Sequence, residues 1–314
     1  PTISLINTYF NNPNNNNNIY GSGTTWKTCS DNLCTEDPFT GICNPVNDQN
    51  SKYGIICNYN SKTLQTITCP NTNENIIINV ISSAPTNIPL LSYCTSDEWN
   101  CDVTSHTGRF TRSSNCNIAG NNHVAVANTL EINGTNTDMN NLITITAASK
   151  HRHFYLNNAN AKLILRYLKL VGGDVSSYSG NPDKNGGSIL IYTNGGELNL
   201  YSSIVFNNKA YVAGGIMLYG ASSTNKNAIM NIYNSIIHNN EANVVGGGIG
   251  MYFAVCTIYN TTIDYNQASN SDGGGMYISS SDVTMKNTII SNNDAGHEGG
   301  GLSIVTVGGD SNIY

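Results

Sequence analysis

The feature of this sequence that most restricts its fold is an internal repeat in the C-terminal half of the chain. A Gly-Gly pair precedes an alternating apolar pair five times, and the equivalent positions of these motifs are Ser188, Gly215, Gly248, Gly275 and Gly301. The intervals between these positions are 27, 33, 27 and 26 residues. Such a repeat predicts one structural unit per interval, with each unit packed against the next along an axis.

Five further positions of the repeat are apolar throughout. These columns are Ile189, Ile216, Ile249, Met276 and Leu302; Ile191, Leu218, Met251, Ile278 and Ile304; Leu198, Met230, Cys256 and Val283; Leu200, Ile232, Ile258 and Met285; and Val205, Ile237, Ile263 and Ile290. Alternation with period two indicates strands, and helical periodicity nowhere exceeds about two turns. The pattern predicts an all-β solenoid in which parallel strands of successive coils stack about 4.8 Å apart.

An asparagine column follows the last apolar column of each repeat. Its members are Asn208, Asn240, Asn266 and Asn293, and an alanine stands two residues after each. Asparagine tolerates the left-handed conformation of tight turns, and stacked amides can hydrogen-bond along the axis. We therefore expect a ladder of these asparagines in left-handed conformation at one corner of the solenoid.

These motifs resemble those of a known group. Gly-Gly-x-apolar and apolar-x-x-Asn-Asn are similar to the repeats of right-handed parallel β-helix (pectin-lyase-like) proteins, and most similar to polymorphic outer-membrane protein type repeats. The resemblance covers residues 124–314, about 60% of the chain. It implies a right-handed parallel β-helix. The Phe-x-x-Asn half-motif of those repeats is not kept, because Phe206 is replaced by His238, Asp264 and Ser291 in later coils.

The cysteines divide the chain in two. Eight of the nine are Cys29, Cys34, Cys43, Cys57, Cys69, Cys94, Cys101 and Cys116, and the ninth is Cys256. The cluster predicts a disulfide framework in an oxidising compartment, with its connectivity left open. A zinc site is the alternative, but no Cys-x-x-Cys motif supports it. Cys256 lies in an apolar column, where a buried, unreactive thiol is expected.

Three regions follow from these patterns. Residues 1–28 form an N-terminal extension whose β-prone segment 3–10 is a candidate donor strand. Residues 29–123 form a Cys-rich region that we expect to cap the N-terminal end of the β-helix, which spans 124–314. We expect the β-helix to be incomplete at its C-terminus, because residues 311–314 match only part of a repeat.

Charge and hydropathy exclude some partners. The net charge is −6 and only 11% of residues are charged, so a nucleic-acid-binding surface is not expected. No apolar run approaches the roughly 18 residues of a membrane span. The 52 asparagines exceed ordinary usage but distinguish no function.

Catalytic candidates are few. Asp272 and Glu298 stand three residues before equivalent glycines, with His297 adjacent, and so should lie one coil apart. Paired carboxylates of this kind serve polysaccharide lyases and hydrolases, but we favour a solvated turn before a glycine corner as the explanation. His238 and Asp264 share a variable column, where a contact rather than a site is expected. We predict no catalytic residue, no metal and no cofactor.

Two tyrosine columns and two sequons remain. Tyr192, Tyr219 and Tyr252 form one outward column, and Tyr201, Tyr233 and Tyr259 form the other. Each predicts an aromatic ladder that either stiffens its sheet or contacts a protein or glycan. Asn133 and Asn260 begin glycosylation sequons.

Taken together, the sequence favours a non-enzymatic structural protein outside the cell or on its surface. It would be the building block of a fibre or an adhesin stalk, associating head to tail as a homo-oligomer or homopolymer. A carbohydrate-active β-helix enzyme and a glycan-binding module are the alternatives. Clustered carboxylates and bases would favour the enzyme, and an exposed aromatic groove would favour glycan binding.

Overall fold

A computed structural model describes residues 97–104, 107–120, 122–178, 180 and 182–305, together with the backbone of eight further strands. Its strands, numbered β1 to β34 along the chain, form three long parallel sheets, a short parallel corner sheet and two antiparallel hairpins. No helix occurs in the described residues, and accordingly none there is long and apolar enough to span a membrane.

The three long sheets each receive one strand from every coil. In spatial order, sheet A contains β8 Asp97–Glu98, β9 Gly108–Arg112, β12 Thr129–Gly134, β15 Lys162–Arg166, β18 Gly196–Tyr201, β22 Ala228–Tyr233, β26 Ala254–Tyr259, β30 Asp282–Lys286, β1 Thr2–Ile6 and β34 Asn312–Ile313. Sheet B contains β10 Cys116–Asn117, β13 Ile143–Thr146, β16 Leu168–Val171, β19 Ile204–Phe206, β23 Ile236–His238, β27 Thr262–Asp264, β31 Ile289–Ser291 and β2 Tyr9–Asn11. Sheet C contains β11 Val124–Val126, β14 Phe154–Leu156, β17 Ile189–Ile191, β21 Ile216–Tyr219, β25 Ile249–Tyr252, β29 Met276–Ser279, β33 Leu302–Val305 and β3 Ile19–Ser22.

The remaining strands are short. The corner sheet contains β20 Lys209–Ala210, β24 Glu241–Ala242, β28 Gln267–Ala268 and β32 Asp294–Ala295. The hairpins pair β4 Cys43–Asn47 with β5 Tyr53–Cys57, and β6 Gln65–Thr68 with β7 Asn75–Ile78. The fold is thus a parallel β-helix, as the repeat predicted. A right-handed sense is the hand expected of parallel crossovers.

All five apolar columns predicted from the repeat are in register and line the core. Ile189 pairs with Ile216, Leu198 with Met230 and Val205 with Ile237, and the same columns continue through later coils. Every member of the columns is 1% exposed or less. Stacking of like side chains keeps each layer of the core at the same width, which explains why each column keeps one chemical type.

The asparagine ladder forms at the corner between sheet B and the corner sheet. The Nδ2 atoms of Asn208, Asn240 and Asn266 donate to Oδ1 of the next ladder member at 2.9, 2.9 and 3.0 Å. Each of those Oδ1 atoms also accepts the backbone N–H of the ladder residue before it. Because all four side chains are 2% exposed or less, these bonds satisfy polar groups that water cannot reach.

The conformation expected for this ladder was wrong by one residue. Positive φ angles belong to Asn207, Asn239, Tyr265 and Asn292, which directly precede the ladder members, and not to the ladder itself. The preceding residue makes the left-handed turn, and that turn points the next side chain inward. Tyr265 shows that the turn position accepts other residues, whereas the inward position is asparagine in all four coils.

The glycine motif marks the next corner, where backbones of successive coils approach closely. A Cβ built on Gly247 would collide with the carbonyl oxygen of Gly274 in the following coil. The preceding Gly246 has a φ of 69°, which L side chains rarely adopt. Both requirements explain why glycine recurs at each such corner.

The N-terminal end of the solenoid is closed by residues 97–117. Trp99 is fully buried beneath the first coils, and its ring lies 6.0 Å from that of Phe154. A disulfide joins Cys101 to Cys116, and β8 and β9 extend sheet A beyond β12. The stacked strands therefore begin upstream of residue 124, where the repeat pattern had the β-helix start.

The C-terminal end is closed by a distant part of the chain. Strands β1, β2 and β3 pair in parallel with β30, β31 and β33, and so add one strand to each long sheet. β1 also pairs with β34 on its other edge. The three strands β1 to β3, which we call the N-terminal coil, cover a last coil whose Met285, Ile290 and Leu302 are fully buried.

The two hairpins accompany the N-terminal coil. β5 lies against β3 and β2, and β7 lies against β1. The register of the first hairpin places Cys43 opposite Cys57. Of the eight clustered cysteines, Cys101 and Cys116 are described with side chains, and the pairing of the other six stays a prediction. Of residues 29–123, expected to cap the N-terminal end, β8 to β10 lie there, whereas β5 and β7 lie against strands of the C-terminal end.

Candidate interaction surfaces

The first tyrosine ladder runs along the outer face of sheet A. The ring centroids of Tyr201 and Tyr233 lie 5.2 Å apart with planes inclined by 8°, and Tyr259 follows at 6.5 Å. Cations flank both ends: the Arg166 guanidinium lies 4.0 Å from the Tyr201 centroid, and Lys286 Nζ lies 5.9 Å from that of Tyr259. The in-register pairing of β18, β22 and β26 stacks these rings.

An ion-pair network extends this ladder towards the N-terminal end. Glu131 Oε1 lies 3.4 Å from Arg166 Nε, and Glu131 Oε2 lies 2.9 Å from Arg109 Nε. Glu131 and Arg166 are both buried, so the Glu131 carboxylate depends on its two arginine partners for the compensation of its charge. A continuous row of charged and aromatic side chains therefore follows the axis on this face.

The second ladder runs along the outer face of sheet C. Centroid distances are 5.6 Å from Tyr192 to Tyr219 and 5.3 Å from Tyr219 to Tyr252. The sequence pattern missed Tyr277, whose ring lies 5.4 Å from that of Tyr252 and whose hydroxyl is hydrogen-bonded to it. Burial and this contact raise the pKa of Tyr252 far above its usual range.

This second ladder is packed on an apolar layer outside the main core. Leu190, Ala213 and Met217 are buried there, although Leu190 and Met217 point away from the interior of the coil. Their cover comes from the tyrosines and from the turn that carries Ala213. All six tyrosines of the two outward columns are half-buried.

Ring orientation decides what these ladders can bind. A sugar stacks on the free face of an aromatic ring, as does any planar ligand. The rings of Tyr201 and Tyr233 are stacked face to face with planes inclined by 8°, and those of Tyr219 and Tyr252 are stacked at 24°, so these faces are turned towards one another. The geometry suits lateral contact with another protein better than a glycan platform.

The carboxylate pair proposed from the sequence lies on adjacent coils as expected. Asp272 Oδ1 accepts the backbone N–H of Glu298 at 3.1 Å, and Gly273 N–H donates to the Glu298 carbonyl at 3.0 Å. Asp272 thus fastens one corner turn to the next. His297 is exposed, and its backbone N–H bonds to Ser271. These contacts are those of a structural turn.

A basic cluster near the N-terminal end has no counterpart among the residues singled out from the sequence. Arg152 is 2% exposed; it donates to the Asp183 carbonyl at 2.5 Å and lies 5.6 Å from the Tyr155 ring centroid, while its Nε is buried without a partner. Burial lowers its pKa to about 10. The guanidinium fastens the long connection between β16 and β17 to the body of the solenoid.

Histidines surround this arginine. Burial lowers the pKa of His123 and that of His153 to about 4, so both are neutral at neutral pH. His153 Nε2 lies 3.1 Å from the Ile145 carbonyl oxygen, and Nδ1 lies 3.0 Å from Ser188 Oγ. The signal in the sequence was His151-Arg152-His153, a basic triplet in a chain with few bases. Among the described residues, no set of three or more His, Cys, Asp or Glu side chains could hold a metal ion.

The other candidates are placed as follows. Asn133 is 4% exposed, and its Nδ2 bonds to Glu131, so a glycan there would displace the ion-pair network. Asn260 is exposed and is the more accessible sequon. The Cys256 thiol is buried, and burial raises its pKa far above its usual range. Burial also raises the pKa of Asp264, whose Oδ1 has no partner.

The stacked parallel sheets and the internal asparagine ladder define the class of this protein: a parallel β-helix repeat protein. Comparison with known proteins adds no narrower assignment. No family model matches the chain, and no characterised protein or solved structure matches it either.

Proposed function

We propose that this chain is a non-enzymatic structural protein of the cell exterior, a rod-like unit of a surface fibre or adhesin stalk that associates head to tail. The observation that carries the proposal is the C-terminal end of the solenoid, where all three long sheets accept a further parallel strand. Such an end joins copies along one axis. A contact of this head-to-tail type does not close on itself and gives a linear polymer.

Two further observations support the proposal. The Cys101–Cys116 disulfide suits an oxidising exterior. The half-buried tyrosine ladders offer edges for lateral contact between rods and few free ring faces for sugars. The motif resemblance to polymorphic outer-membrane protein type repeats is consistent with a surface role. The turn-fastening contacts of Asp272 favour this function over polysaccharide cleavage.

Electron microscopy with sedimentation analysis tests the proposal. We expect unbranched rods that lengthen as protein concentration rises and that keep one coil spacing along the axis. Surface labelling of intact source cells should detect the protein without permeabilisation. A strictly monomeric particle up to millimolar concentration would contradict the structural role, as would labelling that requires permeabilised cells.

A further inference from the structure

Strands β1 to β3 pair at the C-terminal end of the solenoid, and one strand of each hairpin, β5 in the first and β7 in the second, lies against them. We name residues 2–78 the N-terminal unit. Its connection to β8, at the opposite end of the solenoid, consists of the 18 residues from 79 to 96.

The length of the solenoid sets a minimum length for this connection within one molecule. In sheet A, β1 is eight strand spacings from β8. At about 4.8 Å per spacing the two are about 38 Å apart. An extended chain covers at most about 3.5 Å per residue, so at least about 11 of the 18 residues are needed to cross that distance within one molecule.

In a row of molecules the same connection has almost no distance to cross. The N-terminal unit of one copy, docked on the C-terminal end of a second copy, stands beside the N-terminal end of its own solenoid. Every strand pairing of the closed form is kept, because the acceptor edges β30, β31 and β33 are identical in each copy. Exchange of a whole element between identical acceptors is a low-cost route to assembly.

We propose that the N-terminal unit is exchanged between copies, so that residues 2–22 of one chain form the terminal coil of its neighbour. The partner is a second copy of this chain, and the contact comprises parallel pairing in three sheets. This inference rests on the proposed function and specifies its joint. β1 lies between β30 and β34, so the exchanged strand is paired on both edges.

A photo-cross-linking amino acid at Thr284 tests the exchange. Thr284 is exposed and pairs in register with Ser4 of β1. Full-length protein labelled with 14N is unfolded and refolded with an equal amount labelled with 15N, concentrated and irradiated. Exchange predicts that about half of the cross-linked peptides joining residue 284 to residues 2–6 carry both labels. The matched control carries the cross-linker at Thr257, which pairs with Asn231 and Thr284 and is one coil further from Ser4.

A deletion between β7 and β8 separates the two forms and leaves every paired strand of the sequence in place. Removing residues 81–90 leaves eight hinge residues, which reach about 30 Å and cannot close the chain on itself. We expect this variant to lose the monomer and to keep the mixed-label cross-links.

Each outcome distinguishes the closed monomer from the assembly with exchanged N-terminal units. Single-label cross-links at every concentration, or no cross-link between residue 284 and residues 2–6, would overturn the exchange. So would an uncross-linked monomer as the sole product of the hinge deletion. Rods seen together with single-label cross-links would leave the proposed function standing and the exchange wrong. Mixed-label cross-links confined to closed dimers would uphold the exchange and contradict the fibre.

Discussion

The two ends of this solenoid cover their exposed strand edges by different means. At the N-terminal end, Trp99 and the Cys101–Cys116 disulfide are close in sequence to β9 and β10, with which the stack begins. At the C-terminal end, the cover is the N-terminal coil, which is almost the whole chain length away in sequence. The first closure is local and includes a disulfide, whereas the second, as far as the structure describes it, is made by parallel strand pairing in three sheets.

The difference teaches how a repeat protein can combine stability with assembly. Strand edges at the end of a stack template further strands, so they must be covered. A covalently fixed cover prevents further strands from pairing with the sheet edges at its end. A cover made of exchangeable strands blocks the edge in one molecule and can join two molecules when it is passed on.

Removing residues 1–22 should have the largest effect. The edges of three sheets and the last core layer would become exposed, at a cost of about 5 kcal/mol in the free energy of unfolding of the terminal coils. Because each coil contacts only its neighbours, hydrogen exchange should speed up in β30, β31 and β33 and stay slow in β12 to β18. Unchanged protection of β33 would show that the N-terminal coil does not cover this end.

Truncating the buried indole should loosen the other end. We expect Trp99→Ala to lower the free energy of unfolding by about 4 kcal/mol, because it leaves a cavity beside Phe154. Hydrogen exchange should then accelerate in β9 to β14 while the C-terminal end is unaffected. Trp99→Phe is the matched control and should recover most of the loss; equal effects of both variants would refute the packing explanation.

Acid should also act first on the N-terminal end. The pKa of His153 is about 4 in the folded protein, whereas a solvated histidine has a pKa of 6.5, so the unfolded chain binds more protons between these values. The difference between these pKa values adds about 3 kcal/mol to the free energy of unfolding above about pH 6.5. This contribution is lost progressively as the pH falls to about 4. Proteolysis between pH 7 and pH 4.5 should cut near the first coils before the last ones. His153→Gln should flatten this pH dependence, and an unchanged slope would contradict it.

A substitution in the middle of the stack gives a reference for the losses of stability expected at the two ends. Asn240→Ala removes the amide that bonds to Asn208 and Asn266, and it should cost about 2 kcal/mol because the partners stay buried. Gln267→Ala, on the exposed side of the neighbouring coil, is the control and should change the unfolding midpoint little. If the two substitutions had the same effect, the ladder would not be a source of stability.

Much of the architecture could be predicted from the sequence because the repeat carries it. Stacking places equivalent residues in contact, so a column such as Ile189, Ile216 and Ile249 predicts the pairing register of the strands that contain it. The closure of the C-terminal end could not be predicted in this form, since the segment containing Ile3 lacks the repeat motif that would have fixed its partner. It was expected only as a donor to a neighbour.

The surface was less predictable than the core. Column position correctly indicated that Tyr219 points away from the coil interior, but not that Leu190 and Met217 would form a covered layer beside it. The role of Arg152 depends on a connection whose length is not set by the repeat. Residues outside the repeat are positioned by tertiary contacts, and the spacing of residues in a single sequence does not predict those contacts.

The asparagine ladder has a consequence for how such a chain changes length. Each amide donates in the same direction, from one coil to the next, and its hydrogen bonds are with its two neighbours and the backbone beside them. Duplicating one repeat within the stack would add a rung and extend the rod by about 4.8 Å, with every other rung untouched. Gaining or losing part of a repeat would put the amides out of phase. The solenoid can therefore change length only by whole repeats, which recombination between repeats can add or remove.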